Sequence, residues 1–174
     1  VSLGTLSLQS TINTFGQNTI TAHGAARKIS SIFMLPFGVF GTTLATYCGQ
    51  NLGAGKYSRI KTGLKDTVLL TFLWCVGVFV VAYTFAPALV QKITSTAEQE
   101  IVDTASLYLR VNTIFYFIPT IICLFRNSMQ GFGDSKTPVF SSSLELLCKV
   151  LAAFLLAPKI GYWGIIVAEP VSWI

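Results

Sequence analysis

The run from Thr67 to Val90 carries no charged residue over 24 positions. As a helix it covers about 36 Å at ~1.5 Å per residue, more than the ~30 Å hydrocarbon layer of a bilayer. Inside that layer no water satisfies backbone N–H and C=O groups, so a spanning segment must bond to itself as a helix or close into a barrel. An uncharged run this long reads as a helix. The rest of the composition agrees: 52% of residues are hydrophobic and 11% charged, with a mean hydropathy of +0.65. Soluble domains carry roughly 25% charged residues, so this chain cannot coat a globular surface. A soluble enzyme, a nucleic-acid module and a disordered tail are all excluded, which leaves an all-α integral membrane protein.

Five further stretches follow the same pattern. Ile29 to Gly49 is uncharged but holds Pro36, Gly38 and Gly41, which membrane helices tolerate. Ile101 to Met129 includes Pro119, and Pro138 to Ala157 includes Glu145 and Lys149. Short apolar stretches stand at either end, each below the ~20 residues a span requires. The expectation is a six-helix transmembrane bundle with truncated first and last helices, at approximately 1–15, 19–50, 57–90, 98–130, 137–157 and 161–174. Polar and glycine-rich breaks separate them: Gly16 to Asn18, Asn51 to Gly55, Thr94 to Glu98, Gly131 to Ser135, and Pro158 to Gly161. Thr94 to Glu98 reads as a helix N-cap region.

The net charge of +5 does not indicate nucleic acid, because the twelve Lys and Arg are strung between apolar spans. Alternation puts the loops near Gly53 and Asp134 on one face, with Lys56, Arg59, Lys61, Lys65, Arg126 and Lys136. Arg27, Lys28, Lys92, Arg110 and Lys159 fall on the other. The cluster after Gly53 favours that loop being cytoplasmic. The single cysteines, Cys48, Cys75, Cys123 and Cys148, read as small buried hydrophobes. One histidine, His23, builds no metal site, and neither a cofactor motif nor a catalytic constellation is present in the sequence.

Four charges fall where hydrocarbon should be: Arg126, Glu145, Lys149 and Glu169. Each costs roughly 2.5–3.5 kcal/mol near the bilayer centre if unpaired. Arg126 stands five residues before Gly131 and Glu145 seven after Pro138, so both lie about 8–10 Å in from the same side. An Arg126–Glu145 pair is feasible. Lys149 and Glu169 reach about 12–14 Å from the opposite side, and Glu145 and Lys149 share a helix face at i, i+4. The string Arg126–Glu145–Lys149–Glu169 reads either as an ion-linked transport site or as a static clamp between helices. Asn112, Tyr116, Gln9 and Asn13 either line the same cavity or hydrogen-bond across helices.

Several segments are specific enough to carry a family likeness. Asn13-Thr14-Phe15-Gly16, Ile20-Thr21-Ala22-His23-Gly24, the stretch GQNLGAGKYSRI from Gly49, RNSMQGFGDSKTP from Arg126 and GYWGIIVAEPVSWI from Gly161 together resemble the MATE family of multidrug and toxic compound extrusion transporters. The likeness spans essentially the whole chain. It implies one C-terminal lobe of a twelve-helix, two-lobe transporter in the cell membrane, with the N-terminal lobe of the same protein as partner. It also implies export of a cationic or amphipathic, drug-like small molecule by alternating access, driven by H⁺ or Na⁺. Some branches of the family hold an acidic cation-site residue midway along the fourth helix of this lobe. Pro119 falls near that position here and no acid replaces it, so that site is not carried over. Two other functions compete: a flippase for lipid-linked precursors on the related fold, and a non-transporting membrane assembly subunit. A flippase calls for a more basic cavity, whereas here two acids offset Arg126 and Lys149.

Overall fold

The computed structural model describes residues 16–95 and 98–160, together with positions 163, 166 and 170. Five helices are found among them: α1 (Gln17–Gly53), α2 (Tyr57–Thr94), α3 (Gln99–Phe115), α4 (Phe117–Gly131) and α5 (Lys136–Ile160). No strand occurs among the described residues. The first and last expected stretches, 1–15 and most of 161–174, lie outside them.

α1 and α2 are 37 and 38 residues long, about 55 Å each and far more than a bilayer requires. Their uncharged middles fit the hydrocarbon and their charged ends reach beyond it. Both run through a proline without breaking, Pro36 in α1 and Pro87 in α2. A helical proline cannot bond back and crowds the preceding turn, loosening carbonyls there. Near Pro36, the Phe33 carbonyl accepts the indole N–H of Trp74 at 3.0 Å, so α2 supplies a donor at the disturbed turn of α1.

α1 is the axis of the bundle, and three layers of packing follow its length. The first joins Ala22, Ala26 and Ile29 to Ala86 and Val90 of α2, to Val102, Tyr108 and Leu109 of α3, and to Ile166. The second gathers Phe37, Cys75, Val78 and Tyr116. The third gathers Leu44, Cys48, Ile60 and Leu124. Cys48 and Cys75 are buried as expected, but Cys123 is half-buried and Cys148 exposed.

The expected helix over 98–130 is two helices, bent by 52° at Tyr116. Pro119 is the third residue of α4 and has no N–H for the Phe115 carbonyl, one turn back. At the break Tyr116 N–H reaches the Thr113 carbonyl at 3.4 Å, a tighter turn than the α-helical one. Thr120 steadies the far side, donating both its amide and its hydroxyl to the Tyr116 carbonyl. The proline therefore divides the stretch that was expected to be one helix.

At one end of the bundle the Asn18 amide donates to Glu98 and Glu100, both at 2.8 Å, tying the start of α1 to that of α3. Glu98 is the N-cap position of α3 but makes no side-chain cap bond. At the other end α1 and α4 approach with backbone nearly touching backbone. A Cβ on Gly49 would meet the Gly131 carbonyl oxygen at 2.9 Å, and one on Gly131 would run into the Ala45 carbonyl. Farther in, Gly41 faces the Asn127 amide. The loops after Gly53 and Gly131 thus lie at the same end, as alternation required. The second loop is closed by Asp134, whose carboxylate accepts the Thr137 hydroxyl at 2.6 Å, the Thr137 amide at 3.1 Å and the Lys136 amide at 3.0 Å.

Two tests follow from these contacts. Gly131→Ala should destabilise the purified protein by about 1–3 kcal/mol, because neither backbone can give way. Gly38→Ala, with open space around its Cβ, should be neutral or slightly stabilising; equal melting temperatures for the two variants would refute the close approach. The Thr137 hydroxyl and amide, then the Lys136 amide, hold the Asp134 carboxyl below its ordinary range. A depressed folded-state pKa means the cap contributes fully above the unfolded Asp value and is lost as pH falls through the folded one. Amide exchange at Lys136 and Thr137, corrected for its intrinsic pH dependence, should accelerate only below that range, and Asp134→Ala should abolish the dependence.

Candidate functional site

Arg126 sits on α4 one residue before Asn127, and Asn127 is pressed against Gly41 of α1. Gly41 lies eight residues inside the uncharged run that ends at Gly49, about 12 Å from its end. Arg126 is therefore fixed at the level of Gly41, about two turns in from Gly49 along α1. Its partner comes from α5. Arg126 Nη1 donates to Glu145 Oε2 at 2.8 Å, and the two side chains are only 21% and 28% exposed. Charge-assisted bonds of this length are the stronger kind, and low polarity strengthens them further.

A third group completes the centre, one the sequence reading did not single out. Arg126 Nε and Nη2 both donate to Ser141 Oγ, at 3.0 and 2.9 Å. Ser141 precedes Glu145 by four residues, so both face α4 from one side of α5. That spacing was the available signal. The guanidinium fork is thus shared between a carboxylate and a hydroxyl. Lys149, four residues beyond Glu145, is half-buried one turn farther along α5. Glu169, Gln9 and Asn13 lie outside the described residues.

Asn112 and Tyr116 are placed in the interior. Asn112 is fully buried and donates to the Tyr108 carbonyl at 3.0 Å, while its Oδ1 has no hydrogen bond among the described residues. Tyr116 is 2% exposed and donates its hydroxyl to Ser30 Oγ at 2.8 Å, linking the bend to α1. His23 is buried edge-on against the Tyr108 ring, with centroids 5.0 Å apart. Among the described residues no group of His, Cys, Asp and Glu is arranged to hold a metal.

Arg110 lies toward the end of the bundle where Arg27 and Lys28 stand, since Tyr108 packs on His23 and Tyr116 on Ser30. It stands eleven residues into α3, and its Nη2 donates to the Tyr83 carbonyl at 3.3 Å, with the guanidinium 5.9 Å from the Tyr83 ring centre. Tyr83 lies inside the uncharged run of α2.

One exposed face of α1 changes character along its length. Ile32, Leu35 and Val39 are exposed apolar side chains, but nearer the Arg126 level the exposed residues are Thr42, Thr43, Thr46 and Gln50. The Thr42 and Thr46 hydroxyls turn back onto their own helix, at 3.1 Å to the Gly38 and Thr42 carbonyls respectively. With those two hydroxyls satisfied on their own helix, Thr43 and Gln50 are the strip's remaining exposed polar residues.

The ion pair predicts a particular pattern of energies. Arg126→Leu alone leaves a partly buried carboxylate without its cation, and Glu145→Leu alone leaves the guanidinium only a serine. Each should destabilise by about 2–4 kcal/mol, whereas the double variant should lose much less than their sum. Additive losses in thermal or denaturant unfolding would show that the pair is not coupled.

Comparison with known proteins completes the picture. The family profile described as MatE matches residues 1–155. The chain is 22% identical to the probable multidrug resistance protein YoeA of Bacillus subtilis (strain 168), covering 99% of this chain and 38% of that protein. It is 26% identical to the probable multidrug resistance protein YpnP of the same organism, over 65% of this chain and 25% of that one. Among solved structures, a MOP superfamily transporter from Pyrococcus furiosus superposes with a TM-score of 0.88 at 17% identity, over 99% of this chain and 38% of that one. The outward-facing conformation of a multidrug resistance MATE family transporter gives 0.84 at 18% identity, again over 99% and 38%. The chain therefore spans well under half the length of these relatives.

Proposed function

The chain belongs to the MatE family, and we propose that it works as one lobe of a two-lobe multidrug efflux transporter, paired with an N-terminal lobe of the same protein. On this reading it exports cationic or amphipathic drug-like compounds across the cell membrane, in exchange for H⁺ or Na⁺. The observation that carries the proposal is the Arg126–Glu145–Ser141 centre, an ion pair held between two helices inside an apolar bundle.

The geometry suits exchange chemistry. Glu145 accepts one guanidinium N–H, while two others rest on Ser141. If the carboxylate leaves Arg126, to take a proton or face a cationic group, the guanidinium keeps part of its hydrogen bonding. The penalty for opening the pair is therefore lower than for an arginine with a single partner. A cation and Arg126 would then compete for one carboxylate, which links occupancy of the path to the packing of α4 against α5. Lys149, one turn farther along α5, would extend the relay, Glu169 would take part in it as the sequence suggests, and the Thr42–Gln50 strip of α1 would wet it. Gln9 and Asn13 of the first helix would complete the wall. No catalytic step and no cofactor enters this scheme beyond the coupling ion.

The test uses the full-length transporter in a bacterium lacking its main drug pumps. Glu145→Gln and Glu169→Gln should each lower ethidium efflux at least tenfold at matched membrane levels, and Ser141→Ala by a smaller factor. Normal efflux in both glutamine variants would make these carboxylates structural. Failure of the wild type to export ethidium would move the assignment to a lipid-linked precursor flippase.

A further inference from the structure

An open groove of about 370 Å³ runs between α2 and the start of α4, lined by Leu64, Lys65, Val68, Leu69, Phe72 and Phe117. The α2 positions recur at one-turn spacing, so they form one stripe along the helix. From Leu64 to Phe72 that stripe is about 12 Å long. Phe117 closes its inner end, edge-to-face on Phe72 with ring centroids 5.6 Å apart. The floor is almost entirely carbon. Lys65 stands at the outer end, exposed, just before the uncharged run from Thr67, and Lys61 lies one turn earlier on the same stripe, also exposed. Asp66 is exposed beside Lys65 but does not line the groove.

The surroundings separate this groove from the proposed transport path. Across its uncharged span α2 exposes Leu69, Leu70, Phe72, Leu73, Val76, Val80 and Phe85, without a polar strip like that of α1. Such a face meets lipid tails rather than a wetted cavity. A slot with an apolar floor inside the hydrocarbon and two cations where the hydrocarbon ends matches one kind of amphiphile.

We propose that this groove is a binding site for an anionic glycerophospholipid. An acyl chain lies along Val68, Leu69, Phe72 and Phe117, and the phosphate rests against Lys65 and Lys61. The lysines favour a lipid of net negative charge, since a zwitterionic headgroup brings its own cation to them. They also disfavour a cationic drug, so the occupant is not the exported compound. The site requires the bilayer but does not depend on the transport reading.

The experiment titrates the full-length protein in detergent with phosphatidylglycerol or phosphatidylcholine of matched chains and counts retained lipids by native mass spectrometry. Wild type should retain phosphatidylglycerol in clear preference to phosphatidylcholine. Lys65→Gln should lower that retention about fivefold, the effect expected of one lysine at an anionic surface. Leu69→Trp, which fills the groove from an exposed position, should lower it at least as much, with size-exclusion profiles unchanged. Lys28→Gln, an exposed position near the opposite end of α1, should leave it unaltered. Equal retention of the two lipids overturns the proposal, as does a Leu69→Trp variant that binds phosphatidylglycerol like wild type.

Discussion

The backbone contact between α1 and α4 is the constraint on which the rest of the arrangement turns. In lipid, burying apolar side chains gives helices little reason to associate, because the tails are as apolar as leucine. Association has to come from packing and from polar contacts. Gly41, Ala45 and Gly49 recur every four residues along one line of α1, and Asn127 and Gly131 of α4 fit against that line with no room for a methyl group at the glycines. Arg126 is next to this contact, so its depth is set by backbone meeting backbone rather than by the pliable reach of its own side chain. Once α4 is seated, the Ser141–Glu145 face of α5 finds a guanidinium already in place.

The bend at Tyr116 makes that seating compatible with the packing of α3. α3 meets α1 where Tyr108 and Leu109 cluster with Ala22, Ala26 and Ile29, and α4 meets it through the contacts of Gly41, Gly49 and Gly131. The 52° change of direction between the two helices lets each follow its own line along α1. Losing one α-helical hydrogen bond to Pro119 costs less in that setting because Tyr116 and Thr120 supply others.

How much of this was legible in the sequence follows from which features are local. Uncharged length identified α1 and α2, since the cost of a charge in hydrocarbon is a property of a single segment. Rise per residue put Arg126 and Glu145 at one depth, and the 2.8 Å contact between them is where two independent depth counts meet. Ser141 escaped because serines are common in membrane helices and only a fold shows which one faces an arginine. Arg110 falls at the end of the bundle that alternation gave it, near Arg27 and Lys28. The bend was hidden for another reason: a proline in a membrane helix is compatible with a gentle kink or a break. Pro36 and Pro87 leave their helices continuous while Pro119 does not.

The Arg126 centre also bears on whether the charges are structural or functional. A clamp whose task is only to hold helices gains little from ionic groups, because well-packed hydrophobic residues of similar volume do as well or better. In this protein the burden of holding α4 to α1 already rests on the glycine contact, and α5 meets α4 with far less packing of its own. The ion pair is thus placed at the looser of the two junctions, on side chains still about a quarter exposed. Two of the three guanidinium donors engaged there bind Ser141 rather than the acid. An interaction arranged to stay partly satisfied after its carboxylate departs is the kind that the proposed exchange at Glu145 calls for.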